Sequence, residues 1–193
     1  GSAGEPHSGK SWVTGLACEQ LILQGYSVCV IDPEGDYRTL ESLPGVVVFG
    51  GDDPPPQLPD VARALRHPDM SVVVDLSHIP YLEKVEYVYA LLPMLAALRR
   101  STGLPHRIIV DEAHYFLHKP NIRELLDFNL GGYTFVTYRL SDLHPDLRKA
   151  VEAGASDLHL TVGRPPMVRI TGRLVPSGYE TKLTAEDTKA LVY

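Results

Sequence analysis

Short apolar runs separated by longer segments dominate the first two thirds of the chain. The runs lack polar alternation, which is typical of parallel strands buried on both faces. They lie at residues 27–31, 46–49, 71–76 and 107–110, with one more predicted strand at 133–137. Strands that recur between helices predict an α/β fold with a mostly parallel sheet.

Three helices are predicted, one before the first of these strands and two between later ones. Residues 12–24 and 61–66 give the first two, and residues 81–100 carry leucines and valines at helical spacing, which indicates a long crossover helix. Pro93 is expected to kink this third helix. Its tyrosines are interpreted as packing residues rather than as a stacking platform for bases.

Composition fits a soluble globular domain with a small appendage. The chain has 193 residues, a net charge of −6 and two cysteines, Cys18 and Cys29, which we expect to be buried and reduced. The acidic balance argues against strong, nonspecific nucleic-acid binding. Because no apolar run is long enough to span a bilayer and no signal peptide is present, no membrane insertion and a cytoplasmic location are expected.

The segment GEPHSGKS at residues 4–11 fits the Walker A pattern G-x-x-x-x-G-K-[ST]. Its glycines let backbone N–H groups face phosphates, Lys10 would reach the β- and γ-phosphates, and the Ser11 hydroxyl would bind Mg²⁺. The predicted contacts of ATP are Gly4, Glu5, Pro6, His7, Ser8, Gly9, Lys10, Ser11 and Trp12. A P-loop normally follows a buried strand, and only residues 1–3 precede Gly4, so that first strand is expected to be missing.

A second box follows the strand at 107–110. Asp111 and Glu112 fit a Walker B motif, in which Asp111 would hold the Mg²⁺ and Glu112 would orient or deprotonate the attacking water. Arg139, after the strand at 133–137, either stabilises the transferring charge or pairs with a surface acid. The predicted catalytic residues are Glu112, Lys10 and Arg139, and the predicted metal ligands are Ser11 and Asp111.

Other polar clusters leave alternatives open. The acids of residues 32–37 and Asp75 end predicted strands, so they lie either beside the ligand or in ordinary turns. His114 and His118 are four residues apart, but no third metal ligand is obvious.

With these boxes, residues 4–147 resemble the ATP-binding domain of the HerA/FtsK-type ATPases, particularly HerA-like helicase domains. The resemblance is carried by GEPHSGKSW, VIDPEGDY at 30–37, VVVDLS at 72–77, IIVDEAHYFL at 108–117 and FVTYRLSDL at 135–143. It implies a three-layer P-loop NTPase fold at residues 1–147 and Mg²⁺-dependent ATP hydrolysis. It also implies a homo-oligomer, commonly a hexamer, that moves DNA or peptide.

The remainder, residues 148–193, resembles the PAS-like segment that opens the PilT-type pilus-retraction and secretion ATPases. Strands are predicted at 158–162 and 167–170, a turn at Gly172 and Arg173, and a helix at 183–193. This part is expected to be a small α+β appendage. Arg164 and Arg169 contact either a nucleotide, a neighbouring subunit or solvent.

Two rival functions remain from the sequence. One is an assembly or interaction module that either binds nucleotide without useful turnover or does not bind it. It is favoured by the expected absence of the first strand, by the incomplete C-terminal segment and by Tyr138, which stands where many relatives have glutamine. The other is a component of a pilus or secretion motor, supported by the C-terminal segment alone.

Overall fold

Five parallel strands form the central sheet of the computed structural model. It describes residues 9–117, 125–126 and 132–137 and the strands at 167–170 and 173–176, with the backbone alone for Gly9, Lys10 and those two strands. The strands of the central sheet are β1 (Val28–Asp32), β2 (Val46–Gly50), β3 (Ser71–Asp75), β4 (Arg107–Val110) and β5 (Tyr133–Phe135). Their order is β2-β3-β1-β4-β5, and all four pairings are parallel.

The three predicted helices are confirmed. They are α1 (Gly9–Leu23), α2 (Leu58–Leu65) and α3 (Tyr81–Thr102), and the last continues past Pro93, which lies on its exposed side. Helix α1 ends at Gly25, whose φ of 85° allows the Tyr26 N–H to bond the Leu21 carbonyl at 3.0 Å. Gly103, with φ of 78°, ends α3 in the same left-handed conformation.

Alternating side chains of the buried strands divide the core into two layers. Cys29 and Ile31 of β1 face one cluster, which α2 and α3 cover with residues such as Leu65 and Leu91. Val28 and Val30 face the other cluster, which includes Cys18 of α1. Helices therefore cover both faces of the sheet, and the predicted three-layer α/β arrangement is confirmed. Both cysteines are free and buried, as expected.

A separate pair of strands lies in the C-terminal segment. Strand β6 (Met167–Ile170) pairs antiparallel with β7 (Arg173–Pro176), and Ile170 is the partner of Arg173. The prediction of a turn at Gly172 and Arg173 was wrong at Arg173, because the backbone of that residue already belongs to β7. The predicted strand at 158–162, the predicted helix at 183–193 and the predicted boundary near residue 148 lie outside the described residues.

Within the described part of the chain, no helix is both long and apolar enough to cross a membrane.

Candidate functional site

Three aspartates end neighbouring strands at one edge of the sheet. Asp75 ends β3 and is the register partner of Asp32, which ends β1. Asp111 follows β4, and its N–H donates to the carbonyl of Ile31 at 3.1 Å. All three are at most 1% exposed. Because ligands of open parallel sheets gather at the carboxyl ends of the strands, this row marks the edge where chemistry is expected.

The carboxylate of Asp32 accepts hydrogen bonds from the loop that follows it. Its Oδ1 accepts the N–H groups of Glu34, Gly35 and Asp36 at 3.2, 2.8 and 3.2 Å, and its Oδ2 accepts that of Tyr37 at 2.9 Å. Burial raises the pKa of Asp32 to about 6, although these N–H bonds oppose the rise and Asp75 adds to it. Of the two sequence interpretations, turn chemistry therefore accounts for Asp32 itself.

Asp75 is likewise held by local partners. Its Oδ1 accepts the backbone N–H and the hydroxyl of Ser77 at 2.9 and 2.6 Å, and its Oδ2 accepts Arg38 Nε at 2.5 Å. Burial alone would raise the pKa of Asp75, but the bonds from Ser77 and Arg38 outweigh it and lower the pKa. Arg38 also lies 3.6 Å from Asp52, so Asp75 is an anchor between two loops.

Asp111 and Glu112 occupy the corresponding place after β4. Both are buried, at 1% and 7% exposed, although carboxylates are rarely buried without a specific environment. Glu112 has a left-handed backbone, with φ and ψ both 44°, which is uncommon for residues other than glycine, asparagine and aspartate. The N–H of Ala113 then donates to Val136 at 2.9 Å, which fixes this turn against the chain just after β5. Such an uncommon conformation at a strand end is a feature that clusters at functional sites.

Two further side chains contact this turn. Nδ1 of His114 lies 3.3 Å from Oε2 of Glu112 and 3.5 Å from Oγ1 of Thr137. His114 belongs to a short 3₁₀ helix at Ala113–Tyr115, while Thr137 lies two residues after β5. The histidine therefore joins the ends of two neighbouring strands.

The start of α1 lies at the same edge. Ser11 is 5% exposed and Trp12 is 37% exposed, and both line a cavity of about 340 Å³. Asp36 and Tyr37, from the loop after β1, line its other side. Burial raises the pKa of Tyr37 and of Cys18 in α1, and the charge of Asp111 adds to both rises. The end of β4 is thus within electrostatic reach of the middle of α1 and of the loop after β1.

The donor chemistry of these residues fits a hydrated Mg²⁺. A serine hydroxyl and an aspartate carboxylate are hard oxygen ligands, and Mg²⁺ commonly takes one or two protein ligands besides water and substrate phosphates. Among the described residues no three His, Cys, Asp or Glu side chains are grouped to hold a metal by themselves. His118, the predicted companion of His114, lies outside the described residues.

Several predicted site residues cannot be placed. Gly4, Glu5, Pro6, His7 and Ser8 lie outside the described residues, as do Tyr138, Arg139, Arg164 and the side chain of Arg169. Gly9 and Lys10 are described by their backbone, which forms the first residues of α1. The structure brings Ser11, Trp12, Asp111 and Glu112 to one edge of the sheet.

Sequence reasoning missed three residues of this edge. They are Arg38, His114 as a partner of Glu112, and Lys84, whose Nζ donates to the Pro33 carbonyl at 2.7 Å. Arg38 and Lys84 act through contacts between distant segments, whereas His114 contacts Glu112 two residues away and Thr137 in a distant segment. A buried lysine on the apolar face of a helix was the one available signal, because such a charge requires a partner.

Comparison with known proteins gives a likeness of fold. The chain is similar to the genome packaging NTPase B204 from Sulfolobus turreted icosahedral virus 2, solved in complex with AMPPCP, with 21% identity and a TM-score of 0.48. The likeness covers 73% of this chain and 67% of that chain. No protein-family model matches, and the search of curated proteins found no relative. The function of this chain is therefore inferred from its own residues.

Proposed function

We propose that this chain binds Mg-ATP and hydrolyses it to ADP and phosphate. The observation that carries the proposal is the buried Asp111–Glu112 pair at the end of β4, at the sheet edge where α1 begins. Helix α1 starts within GEPHSGKS, a sequence whose pattern suits phosphate binding by backbone N–H groups.

Each residue has one role in this proposal. Lys10 and the backbone of the preceding loop bind the β- and γ-phosphates, while Ser11 and Asp111 hold Mg²⁺, which would neutralise developing phosphate charge. Glu112 accepts a proton from water as the water oxygen bonds to the γ-phosphorus and the bond from that phosphorus to the bridging oxygen breaks. Arg139 adds positive charge near the γ-phosphate.

Calorimetry with Mg-ATP, with phosphate release followed on the same samples, tests the proposal. We expect saturable binding that Lys10→Ala abolishes, and turnover that Glu112→Gln lowers by about 10²-fold or more while binding persists. Arg66→Ala and Glu86→Gln, which change exposed charges on the surface, are the matched controls. Binding unaffected by Lys10→Ala would refute the phosphate role of the loop. Binding without any turnover would favour the rival assembly module.

The coupling of hydrolysis to movement of DNA or another polymer in a homo-oligomer is a further part of the proposal. It is supported by the resemblance of residues 4–147 to HerA/FtsK-type ATPases. Sedimentation with and without Mg-ATP, followed by turnover with added double-stranded DNA, tests it. A chain that stays monomeric and whose turnover ignores DNA would contradict this part while leaving hydrolysis intact.

A further inference from the structure

The Glu112 turn has a partner that the proposed mechanism has not used. His114 Nδ1 is 3.3 Å from Glu112 Oε2, and the side chains of Glu112 and His114 are 9% and 23% exposed. Both atoms are thus largely removed from water, where a charged or polar contact constrains orientation more strongly than at a surface.

The backbone explains why the carboxylate needs such a partner. The left-handed conformation of Glu112 turns the chain sharply after β4, and the Ala113 N–H is fixed by the carbonyl of Val136. These contacts fix the main chain, but the rotatable bonds of the glutamate side chain still allow several carboxylate orientations. The 3.3 Å approach of His114 Nδ1 to Oε2 is an electrostatic contact, not a hydrogen bond by its geometry, and it favours some of these orientations over others.

The same histidine nitrogen also lies 3.5 Å from the hydroxyl of Thr137. Thr137 is 7% exposed and follows β5, whose Phe135 is the register partner of Val110 in β4. A displacement at the end of β5 would therefore reach Glu112 through one imidazole ring.

We infer that His114 is a positioning residue, which holds the Glu112 carboxylate toward the attacking water and links its orientation to Thr137 at the end of β5. This inference rests on the proposed function, since it concerns the same carboxylate. His114 takes no proton from the water in this arrangement; Glu112 does. Positioning partners of catalytic groups commonly contribute about 10–100-fold to activity.

Substitutions at His114 test the inference by removing, keeping or moving the nitrogen that lies near Glu112 Oε2. His114→Ala should lower kcat about 10–100-fold and leave the KM for Mg-ATP within about threefold, because the phosphate contacts are untouched. His114→Asn keeps an amide N–H near the position of Nδ1 and should restore much of kcat, whereas His114→Gln places its amide near Nε2 and should not. His78→Ala, at a half-exposed histidine paired with Asp52, is the matched control.

Thr137 is tested by the same assay. Thr137→Val removes the hydroxyl at nearly constant shape and should lower kcat less than His114→Ala does, while Thr137→Ser should retain it. In the Glu112→Gln background, His114→Ala should cause no further loss, because the two residues act as one unit. A His114→Ala variant with unchanged kcat, or a Gln variant that equals the Asn variant, would overturn the inference.

A second readout separates this inference from the proposed function. The nitrogen-15 NMR signal of His114 Nδ1 is assigned by its absence from the spectrum of His114→Asn. This signal should shift in Glu112→Gln and stay unchanged in Glu86→Gln. If the unmutated chain shows no hydrolysis, the proposed function fails. The NMR comparison alone then tests whether His114 contacts Glu112. An Nδ1 signal that ignores Glu112→Gln would refute the positioning role in either case.

Discussion

At the scale of single residues, the carboxylates of this sheet edge differ in what surrounds them. Asp32 accepts four backbone N–H groups and Asp75 accepts serine and arginine donors, so both hold loops. Glu112 instead contacts a histidine at the end of a strained turn. Four neighbouring acids of similar burial therefore separate into two anchors, Asp32 and Asp75, and one candidate catalytic pair, Asp111 and Glu112.

The raised pKa of Asp32 gives a pH prediction. Since the folded state holds a proton on Asp32 up to about pH 6, against an ordinary value of 3.8, folding becomes relatively more favourable as pH falls through that window. Compared with Asp32→Asn, which stays neutral, the unmutated chain should gain about 2 kcal/mol of unfolding free energy between pH 7 and pH 4.5. Urea unfolding of both proteins at each pH measures this difference. A difference that moves the other way would mean that the fold prefers the ionised carboxylate.

Lys84 gives a second residue-scale prediction. Its ammonium group is buried and donates to the carbonyl of Pro33, in the loop that Asp32 holds. Lys84→Met keeps most of the apolar stem but leaves that carbonyl without this donor, so the unfolding free energy should fall by about 1–3 kcal/mol. Urea unfolding measures the loss, with Arg63→Met, at an exposed ion pair, as the control. Equal effects of the two variants would show that the Lys84 contact contributes no more than a surface pair.

At the scale of elements, strand ends and helix ends require glycine for different reasons. Gly103 ends α3 with a left-handed backbone and open space around it, whereas a Cβ on Gly50, at the end of β2, would meet the backbone carbonyl of Asp75. Gly103 is required for its left-handed backbone conformation. Gly50 is required both for that conformation and because strands β2 and β3 approach each other closely there.

These two glycines form a matched pair of variants. Gly103→Ala should cost about 1–2 kcal/mol, the penalty for a side chain in the left-handed region. Gly50→Ala should cost at least about 1–3 kcal/mol more, because the added methyl group also separates β2 from β3. Thermal or urea unfolding of the two variants gives the comparison. Equal losses would contradict the predicted clash at Gly50.

The strands and helices could be predicted because their signals are local. A strand such as β3, buried on both faces, must be apolar at nearly every position, and the Asp111–Glu112 box follows β4 directly in the sequence. The contacts of Arg38 with Asp75, of Lys84 with Pro33 and of His114 with Thr137 could not be predicted, since each depends on which strand ends become neighbours. The local contact of His114 with Glu112 depends instead on the left-handed backbone of Glu112, which no residue pattern indicates. The order β2-β3-β1-β4-β5 decides that, and it comes from crossovers between segments far apart in sequence.

At the scale of the whole molecule, the two layers of the core each contain one cysteine. Cys18 lies in the cluster under α1, and Cys29 lies in the cluster under α2 and α3. Burial raises the pKa of Cys29 to about 12 and raises that of Cys18 as well, with a further contribution from Asp111 at Cys18. Both thiols are therefore protonated and shielded in the native state.

Thiol labelling followed by mass spectrometry turns this into a prediction. At about pH 8, native protein should react with iodoacetamide on the order of 100-fold more slowly than protein in urea, because reaction requires local or global opening. Separate rates for Cys18 and Cys29 would show which layer opens first. Rapid labelling of either thiol in the native protein would contradict its burial.

The position of β1 in the middle of the sheet has a consequence for the order of synthesis. Val28, its first residue, donates to Ser71, and Ser27, just before the strand, donates to His106; the partners lie 43 and 79 positions away along the chain. The GEPHSGKS segment at residues 4–11 and helix α1 thus leave the ribosome well before the strands that flank β1, and Asp111 and Glu112 emerge later still. Until β3 emerges, the apolar strand β1 lacks a parallel neighbour, so the nascent chain exposes it for the time needed to translate on the order of 40 residues, which is several seconds at typical rates.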